Sequence, residues 1–202
     1  MNTRGFFGRQ RPNKQTQERL PPGQHITEGF PVLSAGPSPI ISLKDWDFTI
    51  ENGDGLSSKW NWEDFKQLPN ENLIADIHCV TKWSKFDTNW TGVRLDTLLQ
   101  ASNITFSGNY VMVFCDGGYT TNIPLEELLD GKSLIAFEYE GNPISTDHGG
   151  PVRLIVPGLY FWKSAKWIRG IKFMTDDQPG FWEEYGYHML GDPWKEQRYW
   201  GD

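Results

Sequence analysis

The sequence predicts an α+β domain built on mixed β-sheets with a few short helices. Three observations carry this expectation. Short apolar segments recur along the chain, at lengths that suit strands better than helices. Glycine (21) and proline (13) are frequent enough to close each segment with a turn. The spacing of the segments is irregular and shows no internal repeat, which argues against a simple sandwich or a solenoid. A chain of 202 residues can bury a sizeable core unaided, and its two cysteines make no disulfide framework.

Taken in order, residues 1–29 are expected to form an extended or partly disordered arm, and residues 30–202 one domain. Six of the 13 prolines fall within residues 1–39, where no periodicity is visible. Trp46, Phe48 and Ile50 alternate with Asp45, Asp47 and Thr49, the pattern of a half-buried strand. Asn61 is placed to cap a short helix carrying Trp62, Phe65 and Leu68, which Pro69 stops. Leu73 to Cys79 reads as a strand, and Val93 to Ala101 as a short helix. Tyr110 to Cys115 reads as a buried strand, turned by Gly117-Gly118 into a returning strand from Tyr119 to Ile123. Pro124 is expected to open another short helix, at the position that tolerates proline. Ser133–Tyr139, Val152–Val156 and Trp167–Met174 read as further strands. The aromatic-rich tail from Gln178 is expected to pack over the domain.

The formal charge of −7 argues against nonspecific binding to nucleic acid or to an anionic membrane surface. Within this acidic chain, residues 149–175 carry Arg153, Lys163, Lys166, Arg169 and Lys172 and no acid. A basic island of this kind is a candidate site for a small anion. No apolar run reaches the ~20 residues that a membrane helix needs. The first residues lack the apolar stretch of a secretory signal, so a cytoplasmic location is expected. The sequons at Asn89 and Asn103 are read as chance matches.

Cys79 ends an apolar strand, where a fold can present a side chain to a cleft. The ordinary alternative is a buried structural cysteine. Strand alternation sends the neighbouring His78 to the opposite face. Cys115 also ends an apolar strand and is read as a core residue. The glycine pair after it suggests a backbone that closely approaches another group. The four histidines make no metal-ligating pair, and no Gly-x-Gly-x-x-Gly, Walker A or Gly-x-Ser-x-Gly motif is present. The most informative stretch runs from Asp147 to Ile168. A glycine turn delivers Arg153 on a strand, and an aromatic loop then brings Lys163, Ser164 and Lys166. Arginine can grip a phosphate with two parallel hydrogen bonds, and lysine adds a point charge.

Three blocks together resemble the oxidoreductase molybdopterin-binding domain, shared by sulfite oxidases, plant nitrate reductases and bacterial methionine-sulfoxide-reducing molybdoenzymes. The first is His78-Cys79-Val80 followed by Trp90 to Leu99. The second is Asp116-Gly-Gly-Tyr-Thr-Thr-Asn-Ile-Pro. The third is His148-Gly-Gly-Pro-Val-Arg-Leu-Ile-Val-Pro with Lys163-Ser-Ala-Lys-Trp-Ile. The resemblance runs from about Phe30 to Met174, and the tail resembles small single-domain bacterial and archaeal members.

The resemblance implies a sulfite-oxidase-type fold and a molybdenum–molybdopterin (Mo-MPT) cofactor. It implies that Cys79 is the thiolate ligand to the metal. It makes His78, His148 and Arg153 cofactor-binding residues. The Lys163-Ser164-Ala165-Lys166 loop would contact the terminal phosphate, and the segment from Phe30 to Gly36 would cover the pterin. Asp116 and Tyr119 would border the substrate, together with Lys82. The activity implied is oxygen-atom transfer to or from a small substrate, a sulfite-like oxyanion or an S- or N-oxide. Sulfite oxidases carry an arginine where His78 stands, which weakens the sulfite assignment. With no haem or flavin motif, electrons would pass through a separate protein or a small carrier. Two readings from other classes stand beside this one. A tryptophan-rich binding module predicts Trp83, Trp90, Trp162 and Trp194 on one open face away from Cys79. A metal-free thiol redox protein requires Cys79 to be reactive by itself.

Overall fold

The computed structural model describes residues 14–53 and 55–202. In chain order its elements are α1 (Lys14–Glu18), β1 (His25–Ile26), β2 (Asp47–Glu51), β3 (Ser57–Asn61) and α2 (Trp62–Gln67). Then follow β4 (Glu71–His78), β5 (Trp83–Val93), α3 (Leu95–Ser102), β6 (Tyr110–Cys115) and β7 (Thr120–Pro124). The last are β8 (Leu134–Tyr139), β9 (Asn142–Pro143), β10 (Arg153–Ile155), β11 (Ile168–Met174) and α4 (Phe181–Glu184).

The strands form two mixed sheets. One has the order β3-β2-β11-β6-β7, in which β11 runs parallel to β2 and antiparallel to β6. The other runs β1-β5-β8-β10, with β4 and β9 pairing β5 and β8. The main core lies between the sheets. Phe48, Ile50, Val111, Val113, Ile171 and Phe173 come from the first, and Val93, Ile135, Phe137 and Leu154 from the second. Strand alternation divides β8 between two environments. Ile135 and Phe137 enter the main core, while Leu134 and Ala136 join Trp90 and Ile155 on the other face. The second sheet is therefore covered on both sides.

Several expected elements are present close to where the sequence places them. The side chain of Asn61 accepts a hydrogen bond from Asp64 N at 2.9 Å and starts α2, which buries Phe65. Cys115 is buried in the main core. Other expectations are corrected. Helix α3 begins at Leu95, because Val93 is the last residue of the long strand β5. That strand lacks a clean period-two pattern because Asp87 takes a left-handed conformation within it. Strand β3 is a polar edge with only Trp60 buried, so no apolar run marks it. Pro124 ends β7, and only a single 3-10 turn follows it. The expected arm is attached to the domain wherever it is described. Arg19 forks onto Asp76 at 2.8 and 2.6 Å and reaches Asp87 at 2.6 Å. Strand β1 pairs with the start of β5. The rest of that expectation, residues 1–13, lies outside the described residues.

The tail packs over the domain as expected, and one buried ion pair holds it. The Lys163 ammonium lies 2.6 Å from Glu183 Oε1, and both side chains are fully buried. The same oxygen accepts from Thr121 Oγ1 at 2.9 Å and Trp162 Nε1 at 2.8 Å. Lys163 also donates to Asn122 O, Asn122 Oδ1 and Met189 O. Breaking one side of such a pair leaves an unbalanced charge in the interior. The Glu183→Ala variant should therefore lose about 3–5 kcal/mol of stability, read from its urea midpoint. A loss below about 1 kcal/mol, the level of an exposed pair, would show that the tail is held by other contacts.

Candidate active site

Cys79 stands one residue past the end of β4, in the turn that leads into β5. The turn is closed by hydrogen bonds from Cys79 N to Trp83 O and from Lys82 N to Cys79 O. Lys82 takes the positive φ of 74° that the reversal requires. This turn delivers the Cys79 sulfur to the wall of a cavity of about 530 Å³. The thiol lies 3.2 Å from Thr81 Oγ1. Burial pushes its pKa up, although bonds from Thr81 and Val80 oppose the shift.

The third block of the sequence forms the basic side of this cavity. Arg153 points in from β10 with its guanidinium buried. It donates to His148 O at 2.6 Å and Ser164 O at 2.7 Å, and it faces the Phe161 ring at 4.3 Å. No carboxylate pairs with it among the described residues. Burial pulls it down to about 9, so it stays charged at neutral pH. Lys166 lines the same side and donates to Asp147 O at 2.5 Å and Leu33 O at 2.7 Å. Burial, then the charge of Arg153, pulls it down to about 8. Ser164 and Ala165 also line the wall, and the Ser164 hydroxyl accepts from Val156 N at 2.9 Å. Gly149 allows this crowding. It has φ +105°, and a Cβ there would meet Lys166 Cβ at 2.9 Å.

The segment from Phe30 to Pro37 closes over the cavity. Phe30 anchors it, with ring centroids 5.2 Å from Tyr139 and 4.1 Å from His148. His148 Nε2 lies 3.1 Å from Phe30 O, and Ser38 Oγ donates to Asp147 at 2.8 Å. Burial lowers the pKa of His148.

Asp116 and Tyr119 line the side formed by the second block. The Asp116 carboxylate is paired with Arg169 at 3.2 Å, and the Tyr119 hydroxyl donates to Trp162 O at 2.8 Å. Gly117 and Gly118 both have φ +82°, and a Cβ on either would meet nothing within 4 Å. Their positive φ serves the conformation of the turn, and both glycines line the cavity.

Two expected cofactor contacts are placed elsewhere. The His78 side chain turns away from the cavity, as alternation requires, to Ser84 Oγ at 2.8 Å and toward Trp194. Burial pulls it down to about 4, so it is neutral at pH 7. Lys163 is the tail's buried partner and does not reach the cavity wall. Lys82 is exposed and also lies off the wall. The structure adds residues the motifs did not single out. Trp83, Phe161 and Trp162 line the cavity, and the tail contributes Phe181, Trp182 and Tyr187. The sequence signals for the tail were its density of aromatic residues and its resemblance to small single-domain members.

The cavity wall suits a group rich in hydrogen-bond acceptors. Arg153 Nε and Trp83 Nε1 are buried donors without a partner among the described residues. Such donors are rare and point to acceptor atoms on a bound group. No cluster of three or more His, Cys, Asp or Glu is present among the described residues. A metal at Cys79 would therefore take its other ligands from a cofactor. A cationic wall, a lone thiol and a covering segment fit an anionic organic cofactor.

Residues 35–182 match the oxidoreductase molybdopterin binding domain. The chain is 41% identical to an uncharacterized oxidoreductase, YuiH, of Bacillus subtilis (strain 168), over 96% of this chain and 98% of that protein. It is 27% identical to the mitochondrial sulfite oxidase of Drosophila melanogaster, over 79% of this chain and 32% of that one. It is 24% identical to the protein-methionine-sulfoxide reductase catalytic subunit MsrP of Pseudomonas syringae pv. tomato, over 86% of this chain and 57% of that one. The chain thus spans less than two thirds of these last two relatives. The crystal structure of the sulfane dehydrogenase SoxCD from Paracoccus pantotrophus superposes with a TM-score of 0.61 at 20% identity, over 69% of this chain and 40% of that one, which shows a shared fold. The chain belongs to the oxidoreductase molybdopterin-binding domain family, whose cofactor is molybdenum–molybdopterin, and is a molybdopterin-dependent oxidoreductase.

Proposed function

We propose that this protein catalyses oxygen-atom transfer to or from a small substrate, with Cys79 as the protein ligand to molybdenum. One observation carries the reading: Cys79 lines the same cavity as a buried, charged arginine that, among the described residues, has an unpartnered donor and no carboxylate partner. A thiolate suits a soft metal centre, and the arginine suits the anionic part of a cofactor. When bound, the molybdenum centre supplies two-electron oxygen-atom chemistry. Arg153, Lys166 and Ser164 hold the cofactor's anionic end, and Ala165 packs beside them. His148 and Phe30 fasten the covering segment, which excludes water. Asp116 and Tyr119 border the substrate side, where their hydrogen bonds fix the wall more than they offer free groups.

The electron partner is a separate protein or small carrier. Three relatives are named as subunits, which supports this. Two free cysteines suit a reducing compartment such as the cytoplasm. No helix among the described residues is long and apolar enough to cross a membrane. The binding-module reading loses support from the placement of the tryptophans. Trp83 and Trp162 line the cavity that holds Cys79, and Trp90 is buried in a core cluster.

Expressed in a host that makes the cofactor, the wild type should hold about one molybdenum per chain by elemental analysis. Cys79→Ser should lose the metal or alter its spectrum. A well-folded wild type without molybdenum would sink the reading. In metal-free protein, alkylation of Cys79 by iodoacetamide should keep rising with pH beyond 9, because burial disfavours the thiolate. A plateau near neutral pH would favour the metal-free thiol redox reading instead. Lys166 loses its proton as pH rises through about 8. Sulfate, whose charge is constant over this range, should therefore bind metal-free Cys79→Ser protein more weakly above pH 8 than below it. Lys166→Arg should flatten that profile, since a guanidinium keeps its charge. A wild-type Lys166 profile already flat from pH 7 to 9 would remove Lys166 from the anion site.

A further inference from the structure

The turn that carries Cys79 is gripped from outside by the arm, which precedes the matched residues 35–182. Strand β1 pairs in parallel with the start of β5. His25 N and Thr27 N donate to Lys82 O and Ser84 O, both at 2.9 Å. Just before β1, the Gln24 side chain reaches across 55 positions of sequence, and its Nε2 donates to Cys79 O at 3.1 Å. Three other contacts of residue 79 are made within the turn itself. Cys79 N donates to Trp83 O at 2.8 Å, Lys82 N donates to Cys79 O at 3.0 Å, and the sulfur lies 3.2 Å from Thr81 Oγ1. These close the turn on itself, whereas Gln24 ties it to a different segment.

The direction of the Gln24 amide is itself fixed. His78 Nδ1 lies 2.8 Å from Ser84 Oγ, and Ser84 Oγ donates to Gln24 Oε1 at 3.5 Å. With its hydroxyl proton given to Gln24, Ser84 accepts from a neutral His78 that carries its proton on Nδ1. The amide oxygen is therefore turned to Ser84 and the amide nitrogen to Cys79. This network also gives a place to His78, whose side chain turns away from the cavity. Behind Gln24 the arm is packed on the tail. A Cβ on Gly23 would meet Glu196 Oε1 at 2.8 Å, and Glu196 accepts from Arg198 Nη1 at 2.9 Å.

We propose that Gln24 is a positioning residue for the Cys79 sulfur: by holding the Cys79 carbonyl, it fixes the direction in which the side chain enters the cavity. The inference rests on the assignment of Cys79 as the protein ligand and adds a residue that acts through it. The carbonyl and the side chain share one Cα, so pinning the carbonyl limits how far the sulfur can swing. Groups that orient a metal ligand from behind set how well the metal is held.

Gln24→Leu and Gln24→Glu approximate the size of the side chain and remove the donated hydrogen bond, since an ionised carboxylate cannot donate. In molybdenum-loaded protein, each variant should release molybdenum on dialysis about tenfold faster than the wild type. Each should also shift and broaden the electron paramagnetic resonance signal of the half-reduced metal, which senses the direction of the sulfur. In metal-free protein at one fixed pH, iodoacetamide should alkylate Cys79 several-fold faster in both variants. Arg19→Ala breaks another tie of the arm, to Asp76 and Asp87, without touching the turn. It should leave all three readings at their wild-type values. Wild-type spectra and alkylation rates in both Gln24 variants, or the same changes in Arg19→Ala, would overturn the positioning role. A wild type that holds no molybdenum sinks the ligand assignment separately, and the alkylation rates then still decide whether Gln24 holds the thiol in place.

Discussion

A guanidinium held in the interior, with no carboxylate partner among the described residues, is the constraint around which this site is arranged. Removing a charge from water is costly unless polar atoms replace the solvent. At Arg153 those atoms are the carbonyls of His148 and Ser164, with the face of Phe161 beside them. Each carbonyl comes from a different segment. His148 lies in the turn before Gly149, and Ser164 in the loop after β10. The glycine turn, the strand and the aromatic loop must therefore all be in place before the arginine is tolerated. The arrangement leaves Nε without a partner among the described residues, in a side chain that belongs to the cavity lining.

The loop from Leu159 to Trp167 serves two sides at once. Lys163 turns into the interior and binds the tail through Glu183, while Ser164 and Lys166 face the cavity. Trp162 connects the two, since its ring lines the cavity and its Nε1 donates to Glu183. Anchoring the tail and positioning one ring of the cavity wall are thus the same interaction. This explains why a fully buried lysine–glutamate pair is present in a region that the motif reading treated as anion-binding. Its role is to place aromatic side chains, whereas cationic charge at the cavity comes from Arg153 and Lys166.

Much of the fold and part of the site were legible in the sequence, for identifiable reasons. Period-two alternation marked β2, a short apolar run marked β6, and the capping side chain of Asn61 marked α2. Those signals are local, so a single sequence carries them. The blocks at Cys79, Asp116 and His148 to Lys166 named most of the residues that meet at the cavity. Alternation also foresaw that His78 and Cys79 would face opposite ways. Strands β3 and β5 were not legible, because a polar edge and a left-handed Asp87 erase the pattern that reveals a strand.

By itself, then, the sequence determined the mixed α+β class, the strand that leads to Cys79, and the basic island around Arg153. These follow from local periodicity, local turn chemistry and residue type. Only the tertiary structure decided which cations face the cavity. Lys163 and Lys166 are three residues apart in one loop, yet one is buried against Glu183 and the other lines the wall. Likewise, only packing brought Tyr187, which stacks on Trp182, against Trp162 from a distant part of the chain. The physical reason is that a side chain's direction in an irregular loop, and its partner from a distant segment, depend on long-range contacts that no local pattern encodes.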